Sequence, residues 1–205
     1  MSKVDFKKEL KQLYAPPKKF VVVDVPKMQF LKITGHGDPN TAQEYQQAVE
    51  ALYAAAYKIK FLSKKELGMD YVVPPLEGLW WADDMEAFTK LRDKTQWDWI
   101  MMIMTPDWIK ESLYEAAVEQ VRKGKDPAAL NKIRLESYQE GLSVQIMHIG
   151  SYDDEAPILA KMHTEFIPKN GYVEDGKHHE VYLSDPRRVP PEKLKTVLRQ
   201  PVKTL

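Results

Sequence analysis

The sequence predicts an α+β fold of two tandem strand-helix-strand-strand modules, with antiparallel sheets and helices packed on them. Three observations lead there. A β-prone run at residues 28–34 is followed by a long amphipathic helix and two further β-prone runs, at 76–81 and 97–104. The same order returns in the second half, at residues 142–150, 153–167, 178–183 and 194–199. Between the two sets lies a stretch with helical periodicity, read as an insertion over about residues 106–140. The element order repeats although the residues do not. The two modules, about 20–105 and 141–200, are therefore expected to be related by a pseudo-two-fold axis and to share one core in a single domain of 205 residues.

Taken in order, residues 3–14 suit a short surface helix ended by Pro16-Pro17, and Phe20-Val21-Val22-Val23 is a short β-prone run. The strand at 28–34 is stopped by Gly35-His36-Gly37-Asp38-Pro39, after which Asn40 or Thr41 can cap a helix. Tyr45, Val49, Leu52, Tyr53, Ala56, Ile59 and Leu62 recur along it at helical spacing, and Gly68 ends it. Tyr71-Val72-Val73 is a further strand candidate, leading through Pro74-Pro75 into the strand at 76–81. A loop then precedes the strand at 97–104, which Pro106 closes. Ile109, Leu113, Ala116, Ala117 and Val121 mark one side of a helix over 108–122. Gly124 ends that helix, and Asp126-Pro127 opens another to about Tyr138. In the second module Asp153-Asp154-Glu155 put acids at the positive end of a helix dipole, and Ile158, Leu159, Met162, Phe166 and Ile167 supply its buried face. Gly171 and Gly176 break the chain before the strand at 178–183, and Pro190-Pro191 precedes the last.

Composition excludes several functions. Thirty basic and thirty acidic residues give a net charge of zero, which argues against a nucleic-acid partner, because phosphate neutralisation needs a basic excess. The basic clusters Lys18-Lys19 and Arg187-Arg188 sit beside prolines and read as solvated loops. No cysteine is present, so disulfides and thiolate nucleophiles are excluded. No apolar run approaches a membrane span, and the first residues have no apolar signal core, so the expected compartment is the cytoplasm. Neither a metal nor a cofactor is expected. His178 and His179 are neighbours on a strand and point to opposite faces, and His36, His148 and His163 lack metal-ligand spacing. No Gly-x-Ser-x-Gly turn or phosphate loop is found.

What remains is aromatic. Trp80, Trp81, Trp97 and Trp99 lie in two consecutive predicted strands, with Tyr71 before them and Tyr182 in the matching strand of the second half. An indole N–H needs a partner when buried, so packing alone would favour Leu or Ile; flat rings on adjacent strands also accept another flat ring. Alternation puts Glu180 and Tyr182 on one face, and a carboxylate on an inward face is costly unless paired or functional. Glu77 shares a face with Leu79 and Trp81 in the same way, with its role left open.

The segments Pro74-Pro75-Leu76-Glu77-Gly78-Leu79-Trp80-Trp81 and His179-Glu180-Val181-Tyr182-Leu183-Ser184-Asp185-Pro186, with the strand at 97–104, resemble the GyrI-like small-molecule-binding family over roughly residues 20–200. The resemblance implies a cleft between two modules that takes planar lipophilic compounds. It is nearest to the free-standing branch that includes cyclopropanoid cyclopropyl hydrolases, which open the strained ring of DNA-alkylating compounds. Carried over on this likeness, Glu180 and Tyr182 are the expected catalytic pair. Tyr71, Trp81 and Trp99 would form the cage with Tyr182, and Trp80, Tyr152 and Phe166 are further ligand-binding candidates. Two other functions stay open: sequestration of xenobiotics without catalysis, and an interaction module such as a topoisomerase inhibitor. The oligomeric state is not fixed by the sequence.

Overall fold

The computed structural model describes residues 3–82 and 93–205. The strands among them are β1 (Val21–Val25), β2 (Met28–His36), β3 (Leu76–Trp81), β4 (Asp98–Thr105), β5 (Arg134–Tyr138), β6 (Gly141–Ile149), β7 (Tyr172–Glu174), β8 (His178–Tyr182) and β9 (Lys195–Thr204). The α-helices are α1 (Phe6–Glu9), α2 (Lys11–Tyr14), α3 (Gln43–Leu62), α4 (Glu111–Gly124), α5 (Ala156–Lys161) and α6 (Ile167–Lys169).

The strands form a single sheet in the order β1-β6-β9-β8-β3-β4-β2-β5, with β7 beside β9. Every pairing is antiparallel. The order is a mirror: β2-β4-β3 of the first module meets β8-β9-β6 of the second, and the seam is the pairing of β3 with β8. This is the α+β architecture that the repeated element order predicts.

Each module packs its own helices on the same face of the sheet. In the first, Ala48, Leu52, Ala55 and Ile59 of α3 and Leu113, Ala117 and Val121 of α4 bury against Leu31, Ile33, Met101 and Ile103. In the second, Met162 and Ile167 bury against Val144, Ile146 and Leu198. The segment carrying them is not one helix but a 3-10 turn (Tyr152–Glu155), α5, a π-turn (Met162–Phe166) and α6. Gly68 ends the α3 region in the left-handed conformation that glycine adopts freely, with φ at 70°. The strand β2 continues through Gly35 and His36 by pairing with Trp99 and Asp98, and Gly35 makes room for the Trp99 indole, into which a Cβ there would fall.

The structure departs from the sequence reading at several places. Residues 126–138 form a short 3-10 turn (Leu130–Lys132) and then β5, instead of a helix. The cause is non-local: β2 has an open edge, and β5 pairs with it through Leu31 opposite Leu135. Tyr71 makes only an isolated bridge to Val4, so no strand forms there. Ala42, with no side-chain cap, begins α3 in place of Asn40 or Thr41. Ala116 is exposed rather than part of the buried side of α4. The N-terminal segment is two short helices, and its Leu13 and Tyr14 are buried. Part of the loop between β3 and β4, residues 83–92, lies outside the described residues. Among those described, no helix is long and apolar enough to cross a membrane.

Leu13 and Tyr14 cover the face of the sheet opposite the large helices, where the seam carries a buried ionic network. His179 of β8 sits between two carboxylates, with Nε2 2.9 Å from Glu77 Oε2 and Nδ1 2.9 Å from Glu140 Oε1. Both ring nitrogens face acceptors, so both carry protons and the ring is an imidazolium. Tyr14 donates to the other oxygen of Glu77 at 3.0 Å. Arg199 Nη1 donates to Glu140 at 3.0 Å, its Nε to Gln145 at 3.0 Å and its Nη2 to the Leu13 carbonyl at 2.9 Å. Gly141, with φ at 76°, lets the chain turn so that Glu140 reaches this site. The charges balance, and each buried ion has hydrogen-bonded partners, which is what burial demands.

Burial alone would lower the His179 pKa, but Glu140 and Glu77 outweigh it and hold it at about 9 against an ordinary 6.5. Burial would raise Glu140, yet His179 and Arg199 bring it to about 2 from 4.5. The histidine contribution is therefore full below pH 6.5 and is lost as pH rises through about 9. The glutamate contribution is full above pH 4.5 and is lost as pH falls through about 2. Unfolding free energies from urea titrations across this range should form a plateau between those inner limits and fall on the alkaline side by about a few kcal/mol. A His179→Gln protein should be less stable and lack that alkaline slope; the same slope in the variant would refute the assignment.

Candidate functional site

On the helix-bearing face, the seam strands present the alternate residues. Gly78 stands opposite Glu180, Leu76 opposite Tyr182 and Trp80 opposite His178. Trp80 Nε1 donates to the Tyr182 hydroxyl at 2.9 Å, and that hydroxyl donates to Glu180 Oε2 at 2.6 Å. The second carboxylate oxygen, Oε1, lies 3.5 Å from His178 Nε2. The indole reaches Tyr182 because Gly78 has no side chain; a Cβ there would lie 2.7 Å from Trp80 Nε1.

Electrostatics follow from this packing. Burial would raise the Glu180 pKa, but His178 and the Tyr182 hydroxyl outweigh it and hold the carboxyl below its ordinary value. Burial and the Glu180 charge together push Tyr182 well up, so it remains a protonated donor. The floor is thus a carboxylate, ionised at neutral pH and held in place by hydrogen bonds.

Two walls rise from this floor and enclose a cleft of about 2040 Å³. One wall is α3, where Tyr45, Val49, Tyr53, Tyr57 and Phe61 recur every fourth residue and so lie along one stripe of the helix. The other is the second module's helical segment, with Tyr152, Leu159 and His163. Tyr45 stacks on Trp80 at 6.2 Å between ring centroids and 30° between planes, and Trp97 meets Trp80 edge-on at 5.7 Å. Tyr152 meets Tyr182 edge-on at 5.7 Å. Burial and the charge of Glu180 raise the Tyr152 pKa to about 12.

Of the residues singled out from the sequence, Glu180, Tyr182, Trp80 and Tyr152 come together here. The others are placed elsewhere. Trp81 points to the opposite face of the sheet, where Lys177 Nζ sits 4.2 Å from its ring centroid. Trp99 shares the cleft-side face but is fully enclosed beneath Tyr45, at 5.4 Å, among the first module's core residues. Tyr71 is buried edge-on against Trp108 at 6.0 Å. Phe166 packs on Phe20 at 5.1 Å at the edge of the second core. Glu77 belongs to the ionic network behind the sheet. The α3 stripe is absent from the sequence reading, since Tyr45, Val49 and Tyr53 also fit a core periodicity. The signal that separates them is the run of ring-bearing residues continuing to Tyr57 and Phe61, past the positions a core face needs.

Residues 18–203 match the model of the GyrI-like small molecule binding domain. The chain belongs to the GyrI-like family. Three solved structures from Listeria innocua are similar to this GyrI-like chain along 98% of its length and 100% of theirs. One is an uncharacterized conserved protein, 44% identical, with a TM-score of 0.90. The other two are structures of a hydrolase, 42% and 43% identical, with TM-scores of 0.86 and 0.88. No curated protein matches the sequence.

Substituting Gly78→Ala should displace the Trp80 indole and break its bond to Tyr182. Overpacking of this kind costs about 1–3 kcal/mol. The expected result is a lower unfolding midpoint with a red-shifted tryptophan emission, and unchanged values for both would count against the close fit described.

Proposed function

We propose that this protein binds planar, lipophilic small molecules in the cleft between its modules and hydrolyses the cyclopropane ring of cyclopropanoid DNA-alkylating compounds, protecting the cell that makes it. The observation that carries the reading is the hydrogen-bonded chain from Trp80 through Tyr182 to Glu180 on the floor of a cleft walled by aromatic rings. The similarity to a Listeria innocua hydrolase over nearly the whole chain supports catalysis. On this reading the whole chain acts as one unit in the cytoplasm, with neither nucleic acid nor membrane as partner.

The chemistry asked of the site is modest. A cyclopropane fused to a dienone is opened by water because strain is released and an aromatic ring forms. The cleft rings orient the flat body by stacking, which converts an encounter in solution into attack within one site. Glu180 accepts the proton of the attacking water as the C–O bond forms. The cyclopropane C–C bond breaks, with its electron pair moving into the ring system, and the resulting phenolate is protonated by solvent. Tyr182 holds the Glu180 carboxylate in position, since its own proton is already engaged with Oε2.

One feature favours binding without turnover as the second reading. Glu180 is held below its ordinary pKa and has Tyr182 on one oxygen and His178 facing the other, which suits a counter-charge as well as a base. The two readings separate experimentally. Wild-type protein incubated with a cyclopropapyrroloindole should yield ring-opened, water-added product by mass spectrometry. Glu180→Gln should reduce the rate by a factor of about 100 or more, the usual contribution of a positioned base. Quenching of tryptophan emission by the compound, with no product formed, would leave a sequestering protein. Undiminished turnover by the variant would remove Glu180 as the base.

A further inference from the structure

A cluster of titratable residues runs from Glu180 to the end of the cleft and has no part in the mechanism above. His178 Nε2 faces Glu180 Oε1 at 3.5 Å. The His178 ring lies 6.3 Å, centroid to centroid, from that of His163. His163 Nδ1 is 2.7 Å from Glu174 Oε1. Side-chain exposure along these last three rises from 2% at His178 to 12% at His163 and 38% at Glu174, so the series leads from the interior to water.

Two details of His163 set it apart from an ordinary surface histidine. It stands in the π-turn Met162–Phe166, a departure from α-helical geometry of a kind often found at functional sites, and its side chain enters the cleft. In the neutral ring, the Glu174 carboxylate holds the proton on Nδ1 and the lone pair is on Nε2. Nε2 is buried and has no hydrogen-bond partner among the described residues. A buried polar atom left without a partner calls for an explanation, and a part in proton transfer supplies one.

The need for such a path follows from the cleft. On the hydrolytic reading, a flat ligand stacked over the floor would cover Glu180 and separate it from the water in the open part of the cleft. A proton taken from the attacking water is then held beneath the ligand. It has to leave before the carboxylate can act again, and the imidazoles of His178 and His163 lead away from the floor towards the surface.

We propose that His178, His163 and Glu174 form a proton path between Glu180 and solvent. The proposal rests on the hydrolytic reading of the same cleft. In each turnover one proton moves from Glu180 to His178, from there to His163, and out past Glu174, while the phenolate takes one from solvent. No proton is gained or lost overall. His163 and Glu174 act through Glu180 and not on the reacting atoms.

The test is steady-state hydrolysis of a cyclopropapyrroloindole in weak buffer by wild type, His163→Gln and Glu174→Gln, with and without added imidazole. His163→Gln should lower kcat by roughly tenfold or more at unchanged KM, and imidazole should restore much of the loss. Glu174→Gln should show a smaller loss of the same kind. Wild-type kcat in His163→Gln would overturn the path, as would a loss that imidazole does not repair or one that appears in KM. If the wild type itself does not turn over, the hydrolytic reading falls and the path with it. An active wild type beside an equally active His163→Gln removes the path alone.

Discussion

The fold turns on one ion held between two others: the His179 imidazolium, with Glu77 on one ring nitrogen and Glu140 on the other. Glu77 belongs to β3 of the first module, His179 to β8 of the second, and Glu140 to the turn entering β6, so the contact crosses the seam. Pairing of β3 with β8 is what makes one sheet of two modules. Its register has to be fixed, because a slip of one residue exchanges the two faces of a strand. An apolar seam would tolerate some sliding. A histidine that needs two carboxylates at hydrogen-bonding distance tolerates none, and Arg199 and Tyr14 occupy further acceptor positions of the same carboxylates.

The cleft on the other face is a consequence of the same duplication. Each module builds its own core with its own helices, and the two cores do not merge above the seam. The strip of sheet between them carries Trp80, Glu180 and Tyr182, residues whose polar atoms have to be satisfied locally. They satisfy one another in sequence, indole to phenol to carboxylate. The α3 aromatic stripe then supplies a largely apolar wall, whose Tyr45, Val49 and Tyr53 also pack on the first core. A site that joins one anchored carboxylate to several rings suits ligands with a flat apolar body and a single reactive or charged point.

How far this was legible in the sequence depends on the range of the interaction concerned. Strand parity is local, and alternation alone places Glu180 and Tyr182 on one face; that this face is the inward one follows from the packing of the helices. The order of elements is also local, and it yields the two modules. Parity is less certain in β3, where Pro74-Pro75 obscures the register, so the sequence does not tell Trp80 from Trp81; the structure puts the first in the cleft and the second behind the sheet. Trp99 shows a different limit, because a correct face does not distinguish the floor of a cleft from the core beneath a wall. Residues 134–138 form a strand only because β2 offers an open edge about a hundred positions earlier. The seam network lies beyond any local signal: Glu77 and His179 are 102 residues apart, and Glu140 and Arg199 are 59 apart.

His178, His179 and Glu180 are consecutive, yet they serve different faces. His179 neutralises charge behind the sheet, while His178 and Glu180 meet the cleft. The charge on His179 nevertheless acts on Glu180 across the sheet, adding to the stronger effects of His178 and Tyr182 that hold its carboxyl low against burial. The residue that fixes the seam therefore also helps to keep the cleft carboxylate ionised, and the register it enforces is the one that sets Glu180 opposite Gly78. Gly78 in turn admits the Trp80 indole to Tyr182. Fold and site are coupled here by a single strand of five residues, β8, each face of which would be misplaced if the other were disturbed.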